Sequence, residues 1–326
     1  MMNLRIYGDR LKQLQPLIAL FLLCLVITLF SDRFLTVTNA WNVMRQISVN
    51  VCISVGMTLV ILTAGIDLSV GSILAFAGAM TASLLVSATG FPFLGVYVEI
   101  TTFGAIVLGL LAGGLLGLIN GWVITRFHVQ PFVATLAMLT LGRGLTMLWT
   151  KGYPVSSLGA DFAVIGTGWF LGIPIPVWIS AVVTLLAALM MKKTKIGRYI
   201  YAIGGNERAA RLSGIKVNRI KLLVYVLSGV LAAVGGIMVT SRLDSAQPNA
   251  GAGYELDSIA AVVIGGTSLS GGRGFIMGTV LGAVIIGVLN NGLVLLGVSP
   301  FWQQVAKGVV ILIAVIIDRS QHKEVK

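Results

Sequence analysis

The chain has 326 residues, 57% hydrophobic and 10% charged, with a mean hydropathy of +0.97. Soluble domains carry about 25% charged residues, so the composition excludes a soluble enzyme or binding module and indicates an all-α polytopic membrane protein. The formal net charge of +12 would suit nucleic acid, but the basic residues stand in loops beside apolar runs, where membrane orientation and anionic headgroups account for them.

A spanning helix needs about 20 mostly apolar residues, and the chain reads as about ten such spans. Arg5, Arg10 and Lys12 precede an apolar run from Leu17, with no small-residue cleavage site after it, so 14–31 reads as an uncleaved first span. The second, 46–64, carries Gln46, Asn50 and Thr58, and the third, 69–89, follows the interruption Gly65-Ile66-Asp67-Leu68-Ser69-Val70-Gly71. The fourth, 103–125, carries Gly109, Gly113, Gly117 and Gly121 at four-residue spacing, which brings small residues to one face for close helix packing. The fifth, 129–149, holds Arg143, and the sixth is 173–191. The seventh, 222–241, and eighth, 257–272, lead to a second interruption, Gly266-Thr267-Ser268-Leu269-Ser270-Gly271-Gly272. The ninth, 275–296, contains Asn290 and Asn291, and the tenth, 301–317, contains Trp302 and Lys307.

Between the sixth and seventh spans, 192–221 carries nine Lys/Arg and one acid. A basic block between spans marks the cytoplasmic side. With both termini cytoplasmic, 17 Lys/Arg fall in inner segments and 4 in outer ones. Offset by 201 residues, the segment 65–82, which begins with the first interruption, matches the segment beginning with the second at Gly65, Leu68, Ser69, Gly71 and Ala82. They read either as broken helices lining a pathway or as tight turns.

Catalytic groupings are absent from the sequence. Cys24 and Cys52 lie in apolar runs with no CxxC, and His128 and His322 sit at span boundaries outside any metal-ligand spacing. The 266–273 stretch lacks the Lys-Ser/Thr of a phosphate loop, so no ATP binding is expected in this chain. Deep carboxylates, which ion-coupled transporters use, are scarce, and Asp67 sits at an inner turn. Arg143 reads as a substrate or gating contact, or structurally as a partner for a helix C-terminus or a snorkelling side chain, and Lys307 reads as snorkelling. A neutral polyhydroxylated solute needs uncharged donors and acceptors beside an aromatic ring. Asn50, Thr58, Asp67, Ser69, Asn290, Asn291 and Trp302 are the candidate pathway residues, with interhelical hydrogen bonding and an interfacial ring position as the structural alternative. In the basic loop, Asn206 can cap a short helix and Gly214 can stop it; a plain loop held at the headgroups fits as well.

Three long runs carry a resemblance: Val55 to Thr63 continuing into Gly65-Ile66-Asp67-Leu68-Ser69-Val70-Gly71-Ser72; Ile196 to Glu207 with Ala209, Ala210 and Leu212-Ser213-Gly214-Ile215; and Ser245-Ala246-Gln247-Pro248 with Gly253 to Asp257 and Gly265 to Leu269. Over nearly its whole length the sequence resembles the permease subunit of ribose-type sugar ABC importers. The resemblance implies a single transmembrane permease domain, 1–326, in a bacterial cytoplasmic membrane. It would pair with a second permease copy or a paralogue, sit on cytoplasmic ABC ATPase subunits that hold ATP and magnesium, and receive sugar from a periplasmic binding protein. It would contact lipid but no nucleic acid, hold no cofactor or metal itself, and not be an enzyme. The resemblance also places a coupling helix at 206–214, with Asn206, Glu207, Ala209, Ala210, Leu212 and Gly214 as contacts. Many importers show E-A-A-x-x-x-G there; Glu207 to Gly214 is one residue longer. Bulky acids at Ala209 and Ala210 are then expected to weaken ATPase association and uptake while leaving insertion intact. An ABC permease for another small solute, such as a branched-chain amino acid, and an ion-coupled secondary transporter are the alternatives.

Overall fold

The computed structural model describes the backbone of residues 2–86, 89–91, 96–98 and 100–323 and the side chains of 16–86, 100–313 and 316. The side chains of the terminal segments 1–13 and 318–326, which enter the charge count above, lie outside them. The chain is a helical bundle of α1 (Met2–Phe30), α2 (Val37–Leu62), α3 (Val70–Val86), α4 (Thr102–Phe127), α5 (Pro131–Thr150), α6 (Ala160–Thr167), α7 (Ile175–Lys193), α8 (Lys195–Gly205), α9 (Glu207–Leu212), α10 (Val217–Leu243), α11 (Tyr254–Ile264), α12 (Ile276–Leu295) and α13 (Pro300–Lys323). Six of these, α2, α4, α5, α7, α10 and α12, are long and apolar enough to cross a membrane, and Pro16–Phe30 and α3 are shorter apolar helices. The protein is a multi-pass membrane protein.

Two expectations change. The second span begins at Val37 rather than 46, because Thr36 caps it by accepting a hydrogen bond from the Asn39 amide at 3.3 Å. Arg45, one of the four outer Lys/Arg with Arg33, Lys151 and Arg242, therefore lies within α2, its guanidinium 4.9 Å from the ring centre of Trp169. The eighth span, 257–272, is not one helix. α11 stops at Ile264 after 11 residues, a rise of about 16 Å, because Gly265 and Gly266 end it and the chain continues through left-handed Gly266, Gly271 and Gly272.

Burial follows composition. Every α2 residue from Val51 to Leu62 is buried, as expected of a helix apolar on all sides. By contrast α7 is buried over only 22% of its apolar window, against 78% for α2, so α2 forms the core and α7 the rim. α10 lies along α4, α2 and α3. The glycine stripe of α4 makes this approach possible: a Cβ at Gly113 would meet Ala233, and one at Gly117 would run into the Tyr225 carbonyl. On the same stripe Gly109 faces Thr81 of α3. Replacing Gly117 by Leu is expected to force α4 from α10 at a cost of at least about 1–3 kcal/mol. The measurement is the melting temperature of detergent-solubilised protein; an unchanged value would contradict the packing described.

The connections gather at two ends of the bundle. At one end stand α8, α9 and both Gly-rich interruptions, 63–69 and 265–275. At the other, strands β1 (Val155–Ser156) and β4 (Ser245–Ala246) pair antiparallel, and β2 (Trp169–Phe170) with β3 (Ile173–Pro174) forms a hairpin whose Trp169 stacks edge-on against Trp41 of α2.

Candidate functional site

α9 is built as a rigid, exposed surface element. Asn206 caps its start, accepting from the Ala209 amide at 3.0 Å. Its end is a Schellman turn: the Ile215 amide donates to the Ala210 carbonyl at 3.1 Å and the Gly214 amide to the Arg211 carbonyl at 3.1 Å, with Gly214 at φ +82. Glu207 bridges two cations, accepting from Lys221 at 2.7 Å and from Arg211 at 3.2 Å. Burial opposes ionisation of Glu207, but the contacts from Lys221 and Arg211 outweigh it and hold the carboxyl below its ordinary range, so it is charged at neutral pH. Asn218, at the start of α10, donates to the Thr125 carbonyl at 3.3 Å, which ties the helix that follows α9 to the end of α4.

These contacts divide the six residues named for coupling. Asn206, Glu207 and Gly214 shape the helix. Ala210 is buried against Ile203 and Val217, so a bulky acid there would disturb the fold as well as any docking. Ala209 and Leu212 face outward, Leu212 at 90% exposure.

The first interruption is held by a buried polar node. Asp67 Oδ1 accepts from the Ser69 hydroxyl at 2.5 Å and the Ser69 amide at 3.0 Å, and Oδ2 accepts from Ser228 of α10 at 2.8 Å. Asn120 of α4 donates to the Ser69 hydroxyl at 2.8 Å, and Thr135 of α5 donates to the Ile66 carbonyl at 3.2 Å. Three helices thus satisfy the irregular backbone and the carboxylate, as irregular backbone inside a bundle requires. Tyr225 of α10 points its hydroxyl at Gly65, where a side chain would collide with it.

The second interruption rests on the first. The Gly272 amide donates to the Leu62 carbonyl at 3.0 Å, and Gly271 packs on Ala64. The two segments matched at an offset of 201 residues are therefore neighbours in space.

A second polar seam joins α11, α12 and α13. Asp257, 3% exposed, accepts from Lys307 at 2.9 Å and from Asn290 at 3.3 Å. Lys307 does not snorkel: its α13 position places the ammonium against a buried carboxylate, a stronger attraction than a headgroup offers. Asn291 and Asn39 exchange amide hydrogen bonds at 2.9 and 3.1 Å, and Thr58 meets Thr279 at 2.6 Å. Arg143 donates to the Pro248 and Ala250 carbonyls at 2.7 and 2.8 Å, so it fastens the loop before α11.

The candidate pathway residues do not converge on one cavity. Thr58, Asp67, Ser69 and Asn291 are buried in interhelical bonds, Asn290 is half-buried against Asp257, and Asn50 is half-buried on α2. Trp302 stands out at 68% exposure at the start of α13. Sequence reading passed over Asn39, Ser228, Thr279 and Tyr201. For Ser228 and Thr279 the signal was a polar group inside an apolar run, which names no partner; Asn39 and Tyr201 lie outside the expected spans and carried no such signal. Among the described residues no group of His, Cys, Asp or Glu could hold a metal ion.

Comparison with known proteins defines the class. Residues 39–315 match the family described as branched-chain amino acid transport system / permease component. The chain is 51% identical to the ribose import permease protein RbsC of Haemophilus influenzae over 95% of its own length and 94% of that protein's. It is 50% identical to RbsC of Escherichia coli strain K12 over 96% and 95%, and 51% identical to RbsC of Bacillus subtilis over 97% and 96%. No solved structure matches. The chain belongs to this family of transport-system permeases.

Proposed function

We propose that the chain is the membrane subunit of an ATP-driven importer of ribose or a closely similar monosaccharide. The observation that carries this reading is identity of about half over nearly the full length of three ribose import permeases. The D-allose transport system permease AlsC of Escherichia coli, at 40%, and the xylose permease XylH of Haemophilus influenzae, at 34%, are also similar, which favours a sugar over a branched-chain amino acid. In this reading α9 seats on an ABC ATPase subunit that holds ATP and magnesium. A periplasmic binding protein delivers the sugar to the opposite end, and two permease copies, or a copy and a paralogue, rock about a central path.

The interior chemistry suits energy supplied from outside the chain. Asp67 accepts three hydrogen bonds and Asp257 is paired with Lys307, so each carboxylate is committed to a structural partner. An ion-coupled transporter needs such groups to take up and release a cation.

Ten crossings with both termini in the cytoplasm of a bacterial cell fit the way the connections meet. Alternation from an inner N-terminus assigns 63–69, 195–214 and 265–275 to one side, and these are the segments in mutual contact. It assigns 151–174 and 244–253 to the other, where Val155–Ser156 pairs with Ser245–Ala246.

Gentle purification of the tagged chain from its native membrane tests the reading. A stoichiometric ATPase subunit, and ribose uptake by the reconstituted complex with its binding protein and ATP, are expected. Uptake by the chain alone under a proton or sodium gradient would replace the ABC reading with secondary transport.

A further inference from the structure

A displacement at α9 must reach the Gly-interrupted segments through the helices that join it to the bundle. The chain has no slack on that route. Thr194 is both the last cap of α7, donating to the Met190 carbonyl at 2.7 Å, and the first cap of α8, accepting from the Gly197 amide at 3.3 Å. Asn206 likewise ends α8 and begins α9. Three helices therefore follow one another through single-residue corners. α8 buries Gly197, Ile200 and Ile203 along one stripe, so it is seated on the bundle, and α9 is fixed to it by Ala210 packing on Ile203.

α8 touches both interruptions. The Tyr201 hydroxyl donates to the Gly274 carbonyl at 2.8 Å, at the far end of the second interruption. One turn later Gly204 has no room for a side chain, because the Leu62 carbonyl and the Gly272 amide stand against it. Those two groups are the acceptor and donor of the hydrogen bond that joins the two interruptions. α8 thus presses on the one backbone bond that both segments share, while its tyrosine holds the second segment a few residues on.

We propose that α8 is the transmission element of the transporter and that Tyr201 is a positioning residue, its hydroxyl linking displacement of α9 to the end of the second Gly-interrupted segment while Gly204 bears on the hydrogen bond that joins the two segments. The proposal rests on α9 being the ATPase docking helix. It assigns work to a helix outside the docking surface and predicts that the two segments move together. Backbone held by a few hydrogen bonds and by glycines can shift between discrete arrangements at low cost, whereas the packed helices around it cannot.

The test is Tyr201→Phe in the full complex with its ATPase subunits and binding protein, reconstituted in liposomes and supplied with radiolabelled ribose and ATP. The ring remains, so packing is kept. The variant is expected to assemble at wild-type stoichiometry and hydrolyse ATP at the basal wild-type rate. Ribose moved per ATP is expected to fall on the order of five-fold, the equilibrium shift that one neutral hydrogen bond supports. Hydrogen exchange gives the second readout. In the wild type, ATP should alter exchange at 62–69 and 265–275 together; in the variant the response at 265–275 should weaken, most of all around Gly274, while that at 62–69 remains.

A variant with unchanged transport per ATP and unchanged exchange would overturn the proposal. So would a lowered melting temperature with both readouts intact, which would make Tyr201 merely structural. Should the wild-type chain form no complex with an ATPase, the docking assignment falls and takes this inference with it; should the complex form and the ratio hold, the inference alone falls.

Discussion

Leu212→Asp is expected to abolish uptake while leaving the chain folded. Leu212 closes α9 at 90% exposure, and a surface change of this kind ordinarily shifts stability by no more than about 0.5 kcal/mol. A large apolar side chain held that far from its own bundle, on a helix fixed at both ends by a cap and a Schellman turn, is pre-organised to enter a groove on another protein. Placing a carboxylate there puts an unpaired charge into a desolvated contact. A central anchor is worth about 2 kcal/mol or more, which is roughly a 30-fold loss of affinity for the ATPase subunit. Leu212→Met, similar in volume and apolar, should retain most of the binding. Ala210→Asp is the contrast: that side chain is buried against Ile203 and Val217, and its variant should lose melting temperature as well as partner. Full co-purification and uptake by Leu212→Asp would remove α9 from the coupling role.

α9 itself was legible in the sequence because its signals are local. Asn206 at the cap and Gly214 past the end need no knowledge of the rest of the fold, and both take those roles. The division of its face was not legible. Ala209 and Ala210 are adjacent and chemically alike, and only the position of Ile203 and Val217 makes one exposed and the other buried. The same limit appears at Lys307. A lone lysine near a helix end suggests snorkelling, and its partner Asp257 lies 50 residues away on a segment that read as the start of another span.

The glycine stripe and the two interruptions show how much patterning conveys. Four-residue spacing of Gly109, Gly113, Gly117 and Gly121 indicated a close helix contact, and the partners are α3 and α10. A five-residue match between the two interruptions hinted at related segments, and the structure sets them in hydrogen-bonding contact. The span drawn at 257–272 overran, because the apolar run ends at Ile264 and the Gly- and Ser-rich stretch from Gly265 to Gly274 cannot remain helical through several left-handed residues. α8 escaped notice since its apolar stripe is short and surrounded by lysines and arginines.

Lys307→Met is expected to be among the most destabilising single changes outside the glycine contacts, and the unequal burial of Lys307 and Asp257 makes the outcome asymmetric. The Asp257 side chain is 4% exposed and that of Lys307 28% exposed. Removing the ammonium leaves the carboxylate with only the Asn290 amide at 3.3 Å, and an uncompensated buried charge costs about 3–5 kcal/mol. Removing the carboxylate by Asp257→Asn is milder, because the freed ammonium is partly exposed and its stem can carry it toward water. The double variant Asp257→Asn with Lys307→Met should recover most of the melting temperature lost in Lys307→Met, since no charge then remains buried. Equal losses from the two single changes, or a double variant as unstable as Lys307→Met, would contradict a buried pair. The pair also has a mechanical consequence. It fixes α11 to α13, and α11 runs directly into the second Gly-interrupted segment. Uptake should therefore fall with Lys307→Met and return with stability in the double variant. Activity that stays lost in a restabilised double variant would mean instead that the charge itself serves transport.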